Sequence, residues 1–328
     1  MPATAPDPTK RAAEKAPEQQ PPEIHAAHPM DKNPIQSKWY DPLVSRFLRL
    51  AASGWVPASW FRKPLPPESE RAARTGALDI EIVSHCWQYA HFLAYQLSSL
   101  ALYPPTKATV TMTVYYNGED EKTRALLDFF SRQQVPGVTW NWRELPKQSL
   151  FRRAIGRNQA ALNSCADWIW FTDCDLLFRE GCLDGLADAL QGRKDALVFP
   201  ASERITTLLA DDDPMFDFDL AQLRLVDIDD SRFVEQQRTR ATGPLQIAHG
   251  DIARAAGYCD SLGYYQKPAE KWCKAHEDRA FRWLLGTPGI PVEVPGVYRI
   301  RHASKGRYTG SELSTRIRSG VRKATSEL

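Results

Sequence analysis

The chain has 328 residues, 43% of them apolar and 25% charged, ordinary values for a soluble globular protein of one large or two small domains. Lys and Arg number 42 against 40 Asp and Glu, a net charge of +2, so nothing in the balance points to nucleic acid or a strongly charged partner. The cysteines, Cys86, Cys165, Cys174, Cys182, Cys259 and Cys273, form no C-x-x-C pair, and reduced thiols of a cytosolic protein are expected. Cys273 and His276 read C-x-x-H, half of a zinc site without a second half.

Residues 1–38 hold no aromatic residue and no Leu but many Pro, Ala, Glu and Lys. Such a segment buries too little apolar surface to offset its conformational entropy, so a disordered tail is expected. It lacks the basic start, apolar middle and small-residue cleavage site of a secretory signal. No apolar run reaches about 18 residues, so a cytoplasmic protein without a membrane span is expected. Residues 39–75 change character. Leu43, Phe47, Leu48 and Leu50 fall at roughly helical spacing, with Arg46 and Arg49 between them and Arg62 and Lys63 following. One reading is a short helix docked on the main domain, which is preferred because short amphipathic helices are usually core elements. The other is an interfacial segment over residues 39–64, with Trp55, Trp60 and Phe61 at the inner face of a membrane beside basic residues.

From Ala77 onward strands and helices alternate. Leu78 to Val83 reads as a strand, Trp87 to Leu102 as a helix, and the β-branched and aromatic run Thr109 to Tyr116 as a strand. Lys122 to Arg132 is helical, Val138 to Trp142 a third strand and Ser149 to Ser164 a helix. Asp167-Trp168-Ile169-Trp170-Phe171-Thr172 is apolar and bounded by charge, as a strand buried on both faces is. The alternation predicts an α/β domain over 76–328 with a mostly parallel central sheet flanked by helices.

The buried strand ends in Asp173-Cys174-Asp175. Ligands bind beyond the carboxyl ends of strands in such sheets, so the acidic pair lies where chemistry is expected. In extended backbone, positions 173 and 175 project to one side. Two adjacent carboxylates favour a neutralising cation, and Mg²⁺ and Mn²⁺ take oxygen ligands from carboxylates and phosphates.

Together with Gly156-Arg157-Asn158-Gln159-Ala160-Ala161, this stretch resembles the donor-site region of family-two-like GT-A glycosyltransferases. Gly243 to Asp260, ending in Gly257-Tyr258-Cys259-Asp260, is similar to that family's acceptor-side segment, and His276-Glu277-Asp278-Arg279 to its E-D element. The resemblance covers roughly residues 77–308. It implies a GT-A fold, a nucleotide-diphospho-sugar donor with UDP as the default base, and a hydroxyl acceptor, whether saccharide, lipid-linked or other. It further implies that Asp173 and Asp175 contact the ribose and a Mn²⁺ or Mg²⁺ ion, with His302 as a further metal ligand. Arg157 and Asn158 would lie over the donor, and His85 and Asn117 would border the nucleotide. Asp278 would be the general base of an inverting transfer, with Glu277 orienting it or holding the acceptor. His249 and Gly250 would fall in the acceptor region.

The chain departs from the family at Tyr115-Tyr116-Asn117, where the second strand there often ends in base-reading Asp residues, and it lacks a later Q-x-x-R-W element. The second departure argues against a processive synthase. Two alternatives remain at this stage, a non-catalytic nucleotide-sugar-binding protein and a sugar nucleotidyltransferase. Ser84-His85-Cys86-Trp87, without a glycine after the first strand, disfavours the nucleotidyltransferase. The stretch Thr206 to Thr242, including Asp211-Asp212-Asp213, is expected to be acceptor-side loop.

Overall fold

The computed structural model describes residues 39–210, 212–270 and 276–302. In chain order they form α1 (Asp41–Leu50), β1 (Leu78–His85), α2 (Ala90–Leu102), β2 (Ala108–Tyr116), α3 (Glu121–Ser131) and β3 (Val138–Glu144). Then come α4 (Lys147–Leu150), α5 (Arg153–Asn163), β4 (Trp168–Phe171), β5 (Leu176–Phe178), α6 (Cys182–Leu190) and β6 (Leu197–Pro200). The remainder is β7 (Ser202–Thr206), β8 (Phe233–Gln237), β9 (Gln246–His249), α7 (Gly250–Ala256), α8 (Glu277–Leu285), β10 (Ile290–Val292) and β11 (Val297–Arg299). The tail expected over 1–38, Asp211 and Cys273 lie outside the described residues.

Seven strands make the central sheet in the order β10-β6-β9-β4-β1-β2-β3. The α/β class expected from the alternating pattern is observed, but the sheet is mixed. β4, β1, β2 and β3 run parallel, as do β10 and β6, whereas β9 is antiparallel to both β4 and β6. β9 escaped the sequence reading, which placed no strand there. It is four residues long, and Gln246 and His249 at its ends are as buried as Ile247 and Ala248 between them, so no alternation marks it.

The chain steps outward from β1 to β2 to β3, then returns to the other side of β1 with β4. The strand order therefore reverses between β1 and β4, and in such sheets ligands bind beyond the carboxyl ends of the strands at this point. All four residues of β4 are buried, as expected for a strand covered on both faces. The helix expected over 149–164 is broken in two, because Arg152, at φ −118° and ψ 83°, is not helical. This break sets Arg153 in the first turn of α5.

A second, four-stranded sheet, β5-β11-β7-β8, follows the end of β4. β11 pairs antiparallel with β5, with Arg299 opposite Leu176, and the Ile300 N–H donates to the Asp175 carbonyl at 2.9 Å. That register carries residue 302 back to the end of β4. Part of the presumed loop over 206–242 is β8, hydrogen-bonded to β7.

The segment after residue 38 lies on α8. Leu48 and Ala51 are buried, the Phe61 ring lies 5.4 Å from that of Trp283, and Trp283 Nε1 donates to the Val56 carbonyl at 2.9 Å. Arg279 donates to the Ala52 carbonyl at 3.1 Å and to Ser53 Oγ at 2.6 Å.

Candidate active site

The acidic motif does not continue as extended chain. The Leu176 N–H donates to the Asp173 carbonyl at 3.2 Å, closing a turn over Asp173-Cys174-Asp175, so the period-two argument for a shared side does not apply. Gln96 of α2 braces this turn, its Nε2 donating to the carbonyls of Asp173 at 2.9 Å and Leu176 at 2.8 Å.

Asp173 is neutralised by protein cations. Its Oδ1 accepts from Arg153 Nη1 and, at 3.1 Å, from Arg157 Nη2. Both arginines lie on one face of α5, four residues apart. Arg157 has no exposed surface. Its Nη1 donates to the Tyr258 hydroxyl at 2.8 Å and its Nη2 to the Thr172 carbonyl at 2.9 Å. It therefore holds Asp173 in place and ties it to Tyr258 and to the end of β4. Both of its Nη groups are committed to the protein, and its buried Nε has no hydrogen-bond partner among the described residues.

Two bridges join this turn to the start of α8, about a hundred residues later. In one, Arg153 reaches from Asp173 to Glu277, with Nε 3.4 Å from Oε1. In the other, the Tyr258 hydroxyl that receives Arg157 donates to Gln246 Oε1 at 2.7 Å, and Gln246 Nε2 donates to the Asp278 carbonyl at 3.0 Å. Glu277 is buried, while the Asp278 side chain is about one-third exposed and has its Oδ2 3.5 Å from Arg282 Nη1.

Asp175 and His302, both buried, approach with Oδ2 3.9 Å from Nε2. The pairing of β11 with β5 produces this approach. Among the described residues no three His, Cys, Asp or Glu side chains converge as a ready metal cage. The expected triad is thus divided: Asp175 and His302 face one another, and Asp173 faces the arginines.

His85 ends β1 beside this cluster, its ring stacked on Tyr115 at 5.0 Å. Burial, reinforced by Arg157 and Arg153, holds its pKa well below the usual imidazole value, so the ring is neutral. Neither ring nitrogen has a hydrogen-bond partner among the described residues. Gly156 makes room for it, since a Cβ there would collide with His85 Nε2.

Asn117, expected at the nucleotide, is buried and occupied. Its Nδ2 donates to the Leu145 carbonyl at 2.8 Å and its Oδ1 accepts from the Glu119 N–H at 3.0 Å. Asn158 likewise binds the chain, donating to Asp260 Oδ1 at 2.7 Å and accepting from the Tyr258 N–H at 2.8 Å. His249 and Gly250 do not reach the site. His249 pairs with Trp168 at the amino end of β4, the opposite edge of the sheet from Asp173. Its Nδ1 caps α7 and its Nε2 lies 2.9 Å from the Ala72 carbonyl. A Cβ at Gly250 would collide with the Ala166 carbonyl, so that glycine serves close packing. Asp213 caps a short turn and pairs with Arg232 at 2.5 Å. His276 precedes α8 in a left-handed conformation, φ 59°.

The sequence reading missed Arg153, Tyr258 as an individual residue, Gln246 and Arg152. Arg152 is buried with its guanidinium 4.6 Å above the Tyr264 ring, and its Nε and Nη1 have no hydrogen-bond partner among the described residues. The only signal for the two arginines was the unused R-R pair next to Gly156-Arg157. A cavity of about 460 Å³ lies along β1, β2 and β3 beside the end of α5, lined by Glu81, Thr111, Asn141, Arg143 and the Tyr115 ring that stacks on His85.

No family model matches the chain, and no curated protein is similar enough to match it. Among solved structures it is similar to S. aureus TarS 1-349, with TM-score 0.40 and 12% identity over 69% of this chain and 58% of that one. The same TarS fragment in complex with UDP gives 0.43 and 12%, over 68% of this chain and 60% of that one. The mannosyltransferase PcManGT from Pyrobaculum calidifontis, in complex with GDP-Man and Mn²⁺, gives 0.40 and 16%, over 85% of this chain and 72% of that one. The match thus spans about three-fifths of the TarS fragment, and at these values none of the three bears on what this chain binds.

Proposed function

We propose that this chain is a glycosyltransferase that takes a sugar from a nucleoside-diphosphate sugar, UDP-linked by default, and places it on a hydroxyl acceptor. One observation carries the reading. The acidic turn after β4 and the acidic start of α8 are tied into one network of ion pairs and hydrogen bonds at the point where the strand order reverses. His85, neutral and without a hydrogen-bond partner, and Arg152, with Nε and Nη1 uncommitted, supply polar atoms that an anionic nucleotide could satisfy.

A carboxylate oxygen and an imidazole nitrogen, from Asp175 and His302, fit a Mn²⁺ or Mg²⁺ ion that takes its other ligands from the diphosphate and water. When bound, such an ion stabilises negative charge on the departing diphosphate. Arg153 and Arg157 pair with Asp173 and fix the turn that presents Asp175. Asp278, partly exposed beside Arg282, is the proposed base that removes the acceptor proton, and Glu277, clamped by Arg153, positions the first turn of α8. Direct displacement with Asp278 as base gives inversion at the anomeric carbon. A product of retained configuration contradicts that role.

The non-catalytic reading has one observation in its favour: two guanidiniums already neutralise Asp173 without a metal ion. Thermal unfolding against UDP, GDP, CDP and their sugar conjugates, with and without Mn²⁺, separates the readings. A ligand at a hundred times its dissociation constant adds about 2.7 kcal/mol. A Mn²⁺-dependent rise in Tm with one nucleotide, lost in Asp175→Asn, is expected. The same rise without turnover of any sugar conjugate would favour the non-catalytic binder. No rise with any nucleotide in cooperatively unfolding protein would remove the donor site altogether.

A further inference from the structure

We infer that the segment from Trp39 to Lys63 is an interfacial membrane-binding surface, selective for anionic lipid, mounted on the helix that carries Glu277 and Asp278. α1 has two apolar stripes. Val44, Leu48 and Ala51, at i, i+4 and i+7, are the stripe that packs inward, with Leu48 and Ala51 buried. Leu43, Phe47 and Leu50 repeat the same spacing one residue earlier and remain 55%, 45% and 56% exposed. A helix that merely docks needs one such stripe and would carry polar residues on the other.

The second stripe does not stand alone. Trp39, Trp55 and Trp60 are 84%, 81% and 75% exposed, and with the stripe they make six of the twelve large apolar side chains exposed among the described residues, within 22 residues of chain. Scattered single residues would need no explanation, but this concentration does. Tryptophan and phenylalanine are the side chains favoured at the level of lipid headgroups.

Charge selects the occupant. Arg46, Arg49 and Arg62 are exposed and have no ion-pair partner among the described residues, whereas Lys63 pairs with Asp260. The segment's one acid, Asp41, lies 3.7 Å from Lys267. The uncompensated charge beside the apolar stripe is therefore positive, which complements an anionic leaflet and not a second copy of the same cationic surface. No described helix is long and apolar enough to cross a membrane, so the contact is interfacial. Phe61 on Trp283 and Arg279 on Ala52 and Ser53 fasten the segment to α8, which places the bilayer beside the acidic turn of that helix. An amphiphilic, lipid-borne hydroxyl acceptor follows from this placement, and that clause alone rests on the transferase reading.

The test is flotation of the full-length protein with vesicles of phosphatidylcholine, pure or with 30 mol% phosphatidylglycerol. Expected is binding to the anionic vesicles, at least tenfold weaker at 0.5 M salt and in the triple variant Trp39→Ser, Trp55→Ser, Trp60→Ser, whose Tm stays within a few degrees of the parent. Arg46→Gln with Arg49→Gln and Arg62→Gln should abolish the preference for anionic lipid while leaving the fold unchanged. Absence of binding by the folded parent overturns the proposal, as does binding that the tryptophan variant retains. A dimer that dissociates in the tryptophan variant, without vesicle binding, assigns the surface to a second copy instead. Vesicle binding without a nucleotide-dependent rise in Tm upholds this surface while removing the transferase reading.

Discussion

Arg157 carries no exposed surface, yet it satisfies a tyrosine hydroxyl, a backbone carbonyl and a carboxylate that is itself 23% exposed. Truncating a buried cation leaves its partners desolvated, so Arg157→Met should lower unfolding free energy by about 3 kcal/mol in urea titration. Arg157→Lys restores charge without the fork and should recover less than half of that loss. Glu81 offers a pH-dependent counterpart. Burial raises its pKa, against the opposing hydrogen bonds of Ser164 and Thr113 and the charge of Arg143. A raised folded pKa means that its contribution to stability is fully present below the ordinary value of 4.5 and is lost as pH rises through the folded value. Glu81→Gln, which can still accept from the Thr113 hydroxyl, should therefore be more stable than the parent at pH 7.5, and the difference should close near pH 4. Equal Tm differences at both pH values would refute that account.

α5 shows how one element assembles a site. Arg153 and Arg157 point to Asp173, and Gly156 between them lets His85 and Tyr115 pack against the helix. Glycine inside a helix ordinarily costs about 1 kcal/mol relative to alanine. At this position an alanine Cβ would meet the His85 ring and lie 2.9 Å from Tyr115, and such overpacking costs about 1–3 kcal/mol. The clash outweighs the propensity, so Gly156→Ala should lower Tm and shrink the nucleotide-dependent shift. A rise in Tm would show that His85 moves freely and is not held. Gly257 is a second such point, with φ +63° and a Cβ position blocked by Asn158.

At the scale of the molecule, α8 depends on a segment more than two hundred residues earlier in the chain. Its outer side is covered by Leu48, Phe61 and the backbone around Val56. Leu48→Ala should cost about 2–4 kcal/mol. Hydrogen exchange should then accelerate in α8 before β1, because a strand paired on both sides opens only with global unfolding. Uniform acceleration across both elements would mean that the segment and α8 are not a separable unit.

Much of this organisation was legible beforehand. β1 to β4 are runs of β-branched or apolar residues bounded by charge, so local pattern located them to within a few residues, and the acidic positions at 173, 175, 277 and 278 stand out from it. β9 and the break before Arg153 were not legible, since both answer to partners distant in sequence: Trp168 to Phe171 flank β9, and Asp173 and Glu277 receive Arg153. The sequence by itself determined the layering of strands and helices and the residue types at the site, because periodicity and burial are properties of neighbouring residues. Only the tertiary structure decided which of those residues meet. It set Asn117, Asn158, His249 and Arg157 to holding the chain and left Asp175 with His302, because hydrogen-bond partners are chosen by distance in space.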